Sequence, residues 1–192
     1  MKFYHNFNFF LFWIKYKKKR EKMKALIIFS LFFLKLFAIE IDSFESSFIQ
    51  TITNDSNKKI EYFGKLYFKK PIKILWRYEK PIKKDIFITE NRVTIIEPEL
   101  EQITISENFE VKNIINILKN ATKLSNELYL AKYNNQKYLI YLSKNGILKK
   151  IEFRDDFNNM VEILFLNPKQ NIDINDSIFK IYIDPTFDII YN

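Results

Sequence analysis

The stretch from Gly64 to Pro81, G-K-L-Y-F-K-K-P-I-K-I-L-W-R-Y-E-K-P, leaves little choice of backbone. Tyr62, Gly64, Leu66 and Phe68 fall on one side of a two-residue period, and Phe63, Lys65 and Tyr67 on the other. Past Pro71 the alternation restarts, with Ile72, Ile74, Trp76 and Tyr78 set against Lys73, Leu75, Arg77 and Glu79. Such alternation marks a strand, because successive Cβ atoms leave a pleated backbone on opposite faces. Two strands are therefore expected, hinged at Pro71 and closed at Pro81, with an apolar wall on the first face. Pro has no amide hydrogen and suits strand ends, while Gly64 in mid-strand predicts a bend or the close approach of another group.

The chain on either side reads as further antiparallel strands. From Ile41 to Thr53 the period is ambiguous, since Phe44, Phe48 and Ile52 share a face as helix or as strand; the residue types favour a strand in the second half. Asn54-Asp55-Ser56-Asn57 is the turn that follows. Strands are expected from Lys84 to Thr89, Arg92 to Ile96 and Glu101 to Ser106, separated by Glu90-Asn91 and a Glu97-Pro98-Glu99 corner. Later strand patterns run from Leu128 to Tyr133, Gln136 to Leu142, Ile147 to Phe153, Met160 to Asn167 and Ile178 to Ile183. Asn134-Asn135, Asn145-Gly146 and the segment from Asp155 to Asn159 supply turn chemistry. Between the two series the period changes. Val111, Ile114, Ile115 and Leu118 recur at helical spacing opposite Lys112, Asn113, Asn116 and Lys119, the pattern of an amphipathic helix. The result is a mainly β (α+β) fold of about eleven strands and at least one helix, with the strands curling into a barrel or sandwich. Aromatic-rich inner positions point to a large apolar concavity.

The front of the chain has another character. Met23-Lys24 precede an apolar run from Ala25 to Leu34, and Lys35-Leu36-Phe37-Ala38 follow it. A run of about ten residues is enough for the core of a secretory signal peptide and short of the roughly 20 needed to span a bilayer. Residues 23–38 are thus expected to be a signal peptide cut after Ala38. Leu36 is a poor match to the second small position and Lys35 comes late, which leaves a retained anchor as the alternative. Upstream lie an apolar patch from Phe7 to Ile14 and a basic run from Lys15 to Lys24, readable as a long n-region or a surface anchor. The simplest reading starts translation at Met23, makes residues 1–22 an untranslated extension, and leaves 39–192 as a single domain.

The leader also carries the charge. It holds nine of the 31 Lys and Arg and one of the 23 Asp and Glu, so residues 39–192 keep 22 of each and the formal +8 disappears. The basic excess is therefore no sign of a nucleic-acid partner. A local group, Lys65, Lys69, Lys70, Lys73, Arg77, Lys80, Lys83 and Lys84, reads either as the solvated face of a strand pair or as a docking patch for anionic lipid or an acidic partner. The chain has no Cys, and its one His, His5, lies in the leader. Their absence removes disulfides, Cys nucleophiles, ordinary zinc sites, Ser-His-Asp triads and imidazole acid-base chemistry. It also removes the lipobox Cys of an acylated lipoprotein. Asp155-Asp156, and Glu97 with Glu99, are candidate paired carboxylates, but both lie in turn-like segments without a positioned nucleophile. No enzyme is expected, and no catalytic residue, metal or cofactor.

Five ordered motifs carry a resemblance. Phe44-x3-Phe48-x-Gln50-Thr51, Gly64-x-Leu66-x-Phe68-x-Lys70-Pro71, Trp76-x4-Pro81, Pro98-x3-Gln102-x-Thr104 and Phe179-x-Ile181-x4-Pro185-x2-Asp188 together resemble the LolA family of periplasmic outer-membrane lipoprotein carriers. The resemblance implies an open antiparallel half-barrel of about eleven strands with a helical lid, whose apolar cavity shelters lipoprotein acyl chains between the inner and outer membranes. It implies a cavity wall of Tyr62, Leu66, Phe68, Ile72, Ile74, Trp76, Tyr78, Ile86 and Ile88, with Val111, Ile114, Ile115 and Leu118 on the cavity side of the lid. Ordinary core is the other reading of these positions. Lys70 falls where the family usually has an Arg that latches the lid; Lys keeps the charge but not the planar five-donor fork. An amphipathic helix usually precedes the family's first strand, whereas only Ile39 to Ser43 remain here before Phe44, so the lid is expected to be thinner or the cleavage earlier. The partners implied are acylated lipoproteins, an inner-membrane ATP-dependent releasing complex, and an outer-membrane receptor or the outer membrane itself. This chain has no Walker A pattern, so the energy must come from outside it. A periplasmic monomer is expected. The alternative function is a lipid-binding or sensor module of the same half-barrel without lipoprotein transport.

Overall fold

The structure, a computed structural model, describes residues 39, 41–107, 121–133 and 135–191. The leader and the four expected lid residues, Val111, Ile114, Ile115 and Leu118, lie outside the described residues. Within them the chain forms β1 (Ser43–Thr53), β2 (Lys59–Lys69), β3 (Lys73–Lys80), β4 (Lys84–Ile88), β5 (Arg92–Glu97), β6 (Gln102–Glu107), β7 (Thr122–Lys123), β8 (Leu128–Tyr133), β9 (Gln136–Leu142), β10 (Leu148–Arg154), β11 (Met160–Gln170) and β12 (Asp188–Tyr191). All twelve belong to one sheet, in the order β12-β6-β5-β4-β3-β2-β1-β11-β10-β9-β8-β7. Its edges, β12 and β7, do not meet, so the sheet is open. The alternating pair β2 and β3 sits at its middle.

Tight turns set most of this order. Asn57, Asn158 and Gly146 take φ of 58°, 65° and 75°, a left-handed backbone that Gly adopts freely and Asn tolerates better than most residues. β1 is extended throughout, which resolves the ambiguity of its period. It pairs with β2 on one side and β11 on the other, so both rows of its backbone groups are bonded within the sheet. A register shift between Glu45 and Ser47 marks a bulge, beside which the buried Ser46 hydroxyl lies within hydrogen-bonding distance of the carbonyls of Ser47, at 2.7 Å, and Leu166, at 2.9 Å.

The expected strand from Ile178 to Ile183 is not one. Asp176–Phe179 form a 3-10 turn, capped by the Asn175 side chain accepting from the Ser177 amide at 2.9 Å, and residues 180–184 are irregular. The last strand comes later, at Asp188–Tyr191, and lies parallel to β6 where every other pair is antiparallel. The segment between β11 and β12 is a strap that crosses the strand ends. The Ser43 hydroxyl donates to the Ile172 carbonyl at 2.5 Å, Lys69 Nζ donates to the Ile174 carbonyl at 2.7 Å, and Lys73 Nζ meets the Asp176 carboxylate at 3.1 Å. These contacts carry the chain past β1, β2 and β3 and bring β12 to the far edge.

The main buried cluster lies on one face. Phe44, Phe48, Leu66, Phe68, Ile74 and Ile88 join Ala131, Tyr138, Ile140, Ile151, Ile163 and Phe165 in a single buried cluster. The cluster runs from β4 to β8 through the middle of the sheet, which requires the sheet to curl around it. Leu75, Phe87, Thr94, Ile103 and Ile105 face the other way by register and are buried as well. Of these, Phe87 shares the lining of a pocket of about 300 Å³ with Phe179 and Ile181 of the strap.

Candidate functional site

Register builds the concave face in rows. Across β1 to β4, Phe44, Phe68, Ile74 and Ile88 stand in line, then Ser46, Leu66, Trp76 and Ile86, then Phe48, Gly64, Tyr78 and Lys84. Gln50 pairs with Tyr62 one row further on. Eight of the nine expected wall residues, Tyr62, Leu66, Phe68, Ile74, Trp76, Tyr78, Ile86 and Ile88, therefore share this face. Ile72 belongs to the turn between β2 and β3 and packs against the same cluster.

Along β3 and β4 burial falls from row to row: Ile74 and Ile88 are buried, whereas Trp76, Tyr78, Ile86 and Lys84 are half-buried. On β1 and β2 Phe48 and Leu66 stay buried, and the face opens only at Gln50 and Tyr62. The face is thus closed at the end where β3 begins and open where it ends. Gly64 sits at the transition, opposite a register shift in β3. A Cβ there would lie 2.0 Å from the Arg77 carbonyl oxygen and 2.8 Å from Phe48 Cζ. The absent side chain lets the Phe48 ring lie across β2, edge-on to Trp76 and to Tyr78 with ring centres 5.2 Å away in both cases. Edge-to-face contacts of this kind hold rings at fixed angles.

At the open end a cavity of about 250 Å³ is lined by Gln50, Ile52, Tyr62, Tyr78, Ile82, Lys84 and Ile86. The Tyr78 hydroxyl donates to Gln50 Oε1 at 2.8 Å, and the Tyr62 ring stands edge-on to Tyr78 at 5.9 Å. Burial, with a smaller contribution from Tyr62, pushes the Tyr78 phenol up to about 12, so it stays protonated at any physiological pH. Lys84 Nζ lies 2.7 Å from the Glu97 carboxylate.

The basic group near these strands largely meets carboxylates of its own fold. Lys65 faces Glu79, Lys69 and Lys73 share Asp176, Lys70 meets Asp42, and Arg77 grips Asp85 through Nε and Nη2. This pattern fits a solvated strand face. Lys70, the expected latch, stands at the end of β2, where its own amide also donates to the Asp42 carbonyl at 2.9 Å. Three of the four candidate acids are engaged within the fold, Glu97 with Lys84 as above. Asp155 accepts from the amides of Phe157 and Asn159 in a turn, and Asp156 accepts from Gln136. Among the described residues no three His, Cys, Asp or Glu side chains gather as a metal site.

Sequence reading missed two parts of this face. The half contributed by β8 to β11, with Ile140, Ile151, Val161, Ile163 and Phe165, is legible as strands but not as the opposite wall until the pairing of β1 with β11 is known. Gln50 stood in a motif without a role, and only its register with Tyr62 brings it to the cavity.

The family described as "Outer membrane lipoprotein carrier protein LolA" matches residues 40–182. The outer-membrane lipoprotein carrier protein of Wolinella succinogenes is 40% identical over 139 residues, covering 72% of this chain and 81% of that protein. Its counterpart in Campylobacter jejuni is 35% identical over 169 residues, covering 87% of this chain and 98% of that protein. Among solved structures, an uncharacterized conserved protein from Thermus thermophilus shares the fold with a TM-score of 0.53 at 12% identity, covering 80% of this chain and 93% of that one. The graded apolar wall, the open sheet and these matches agree: the chain belongs to the LolA family of outer-membrane lipoprotein carrier proteins.

Proposed function

We propose that this protein is a periplasmic chaperone that carries outer-membrane lipoproteins from the inner to the outer membrane, sheltering their acyl chains against the concave face. The observation that carries the reading is the graded wall itself, continuous from buried Phe68 and Ile74 to the open cavity at Tyr62 and Tyr78, in a member of this family. Burying an acyl chain is worth about 0.8 kcal/mol per CH₂, so a triacylated anchor loose in water is unfavourable by tens of kcal/mol. Hydrocarbon chains need apolar area and no reactive group.

A carrier must also let go. The deepest row is already covered by protein, so chains that reach Phe44, Phe68 and Ile74 displace existing contacts. Those contacts re-form on release and return part of the binding free energy, which keeps the cavity from becoming a trap. Loading is then driven by an inner-membrane ATP-dependent complex, and unloading goes to an outer-membrane receptor or to the membrane itself. Asp155, Asp156 and Glu97 serve turns and ion pairs, and the protein acts without catalysis.

The test is binding. Purified protein mixed with one lipoprotein in acylated and non-acylated forms should give a soluble one-to-one complex with the acylated form alone. Uptake of a fluorescent fatty acid without any complex with the acylated lipoprotein would instead support a lipid sensor.

A further inference from the structure

The open end of the cavity is more polar than hydrocarbon chains require. Gln50 and Tyr62 project into it beside Ile52, Ile82 and Ile86. The hydrogen bond from the Tyr78 hydroxyl engages Gln50 Oε1, which leaves the amide nitrogen of Gln50 as a donor. Neither that nitrogen nor the Tyr62 hydroxyl makes a hydrogen bond among the described residues, and neither is a fully buried orphan. Both are unused donors at an open apolar site, a row above the aromatic contacts of Phe48.

We infer that this end is a polar subsite for the ester carbonyls that join acyl chains to glycerol, with Gln50 and Tyr62 as the donors and Tyr78 as the positioning residue that orients the Gln50 amide. The inference deepens the carrier reading and rests on it. An ester carbonyl accepts and cannot donate, which matches two free donors. It is also uncharged, and the one cation that lines the cavity among the described residues, Lys84, already has the Glu97 carboxylate at 2.7 Å. A free carboxylate would find its countercharge taken. The cavity of about 250 Å³ is on the order of eight water volumes, room for a head region but not for whole chains, which continue along the wall toward Trp76 and Leu66. A purely hydrocarbon wall would hold chains at any depth, whereas donors in one row fix the depth at which the chains begin.

The experiment compares two synthetic lipopeptides of the same sequence and chain length, one with ester-linked acyl chains on its glyceryl group and one with ether-linked alkyl chains. Each is titrated into the purified protein. The wild type should prefer the ester by roughly 3- to 10-fold, the worth of one or two neutral hydrogen bonds. The readout is the ester-to-ether ratio, so it survives a general loss of affinity. In Gln50→Leu and in Tyr62→Phe the ratio should fall toward one, and Tyr78→Phe should lower it through the released Gln50 amide. A thermal melt of each variant checks its folding. Equal binding of both probes by the wild type would overturn the subsite and leave the carrier reading standing. An ester preference that survives in the Gln50→Leu/Tyr62→Phe double variant would overturn the assignment to these residues. Binding of neither probe would overturn the carrier reading, and the subsite with it.

Discussion

At Gly64 a missing side chain shapes the cavity. Because an added Cβ would meet the Arg77 carbonyl oxygen and the Phe48 ring, Gly64→Ala must move backbone or ring rather than a flexible side-chain tip. A loss of about 1–3 kcal/mol in unfolding by urea is expected, with a shift in Trp76 fluorescence as Phe48 is displaced. Unchanged stability would mean that the strands part there at little cost. One residue along β3, Arg77 faces away from the cavity and holds Asp85 through two nitrogens. Arg77→Lys keeps the charge and loses the fork, so it should cost less than about 1 kcal/mol and leave acyl binding intact. The period of two made this division of β3 legible in the sequence. Leu75 was the exception, since a lone Leu between Lys73 and Arg77 looks solvent-facing, yet it is fully buried between Tyr67 and Phe87, which only the strand register brings beside it.

Among the elements, the strap from β11 to β12 is held mainly by side chains rather than by a ladder. Lys73 and Lys69 hold the Asp176 carboxyl below its ordinary value of 3.8. The folded state thus favours the ionised form, and the stabilisation is complete above the unfolded pKa and lost as pH falls through the lower folded value. Amides of residues 172–180, corrected for intrinsic rates, should lose protection from hydrogen exchange as pH falls from neutral to below 3.8, and Asp176→Asn should show that loss already at neutral pH. Protection that stays constant in both would show that Ile174 burial and the Lys69 bond to its carbonyl hold the strap alone. The sequence misled here because Ile178 to Ile183 alternates like a strand. Asn175 caps a turn instead, and pairing passes to Asp188–Tyr191, whose partner β6 lies far back in the chain.

For the molecule as a whole, the hairpin series was legible because each strand and its turn are local. The closure of β1 against β11 was not, because it joins opposite ends of the domain, and it is this pairing that makes the concave face continuous. The function proposed above requires this face to take acyl chains from a membrane. The most direct measurement mixes the purified protein with spheroplasts synthesising a labelled outer-membrane lipoprotein and follows the label into the soluble fraction. Release in a one-to-one complex with the wild type, abolished by Trp76→Glu or Ile74→Glu and retained in Arg77→Lys, is the predicted result. Label that stays in the inner membrane with wild-type protein, while a fluorescent fatty acid still binds, would contradict it.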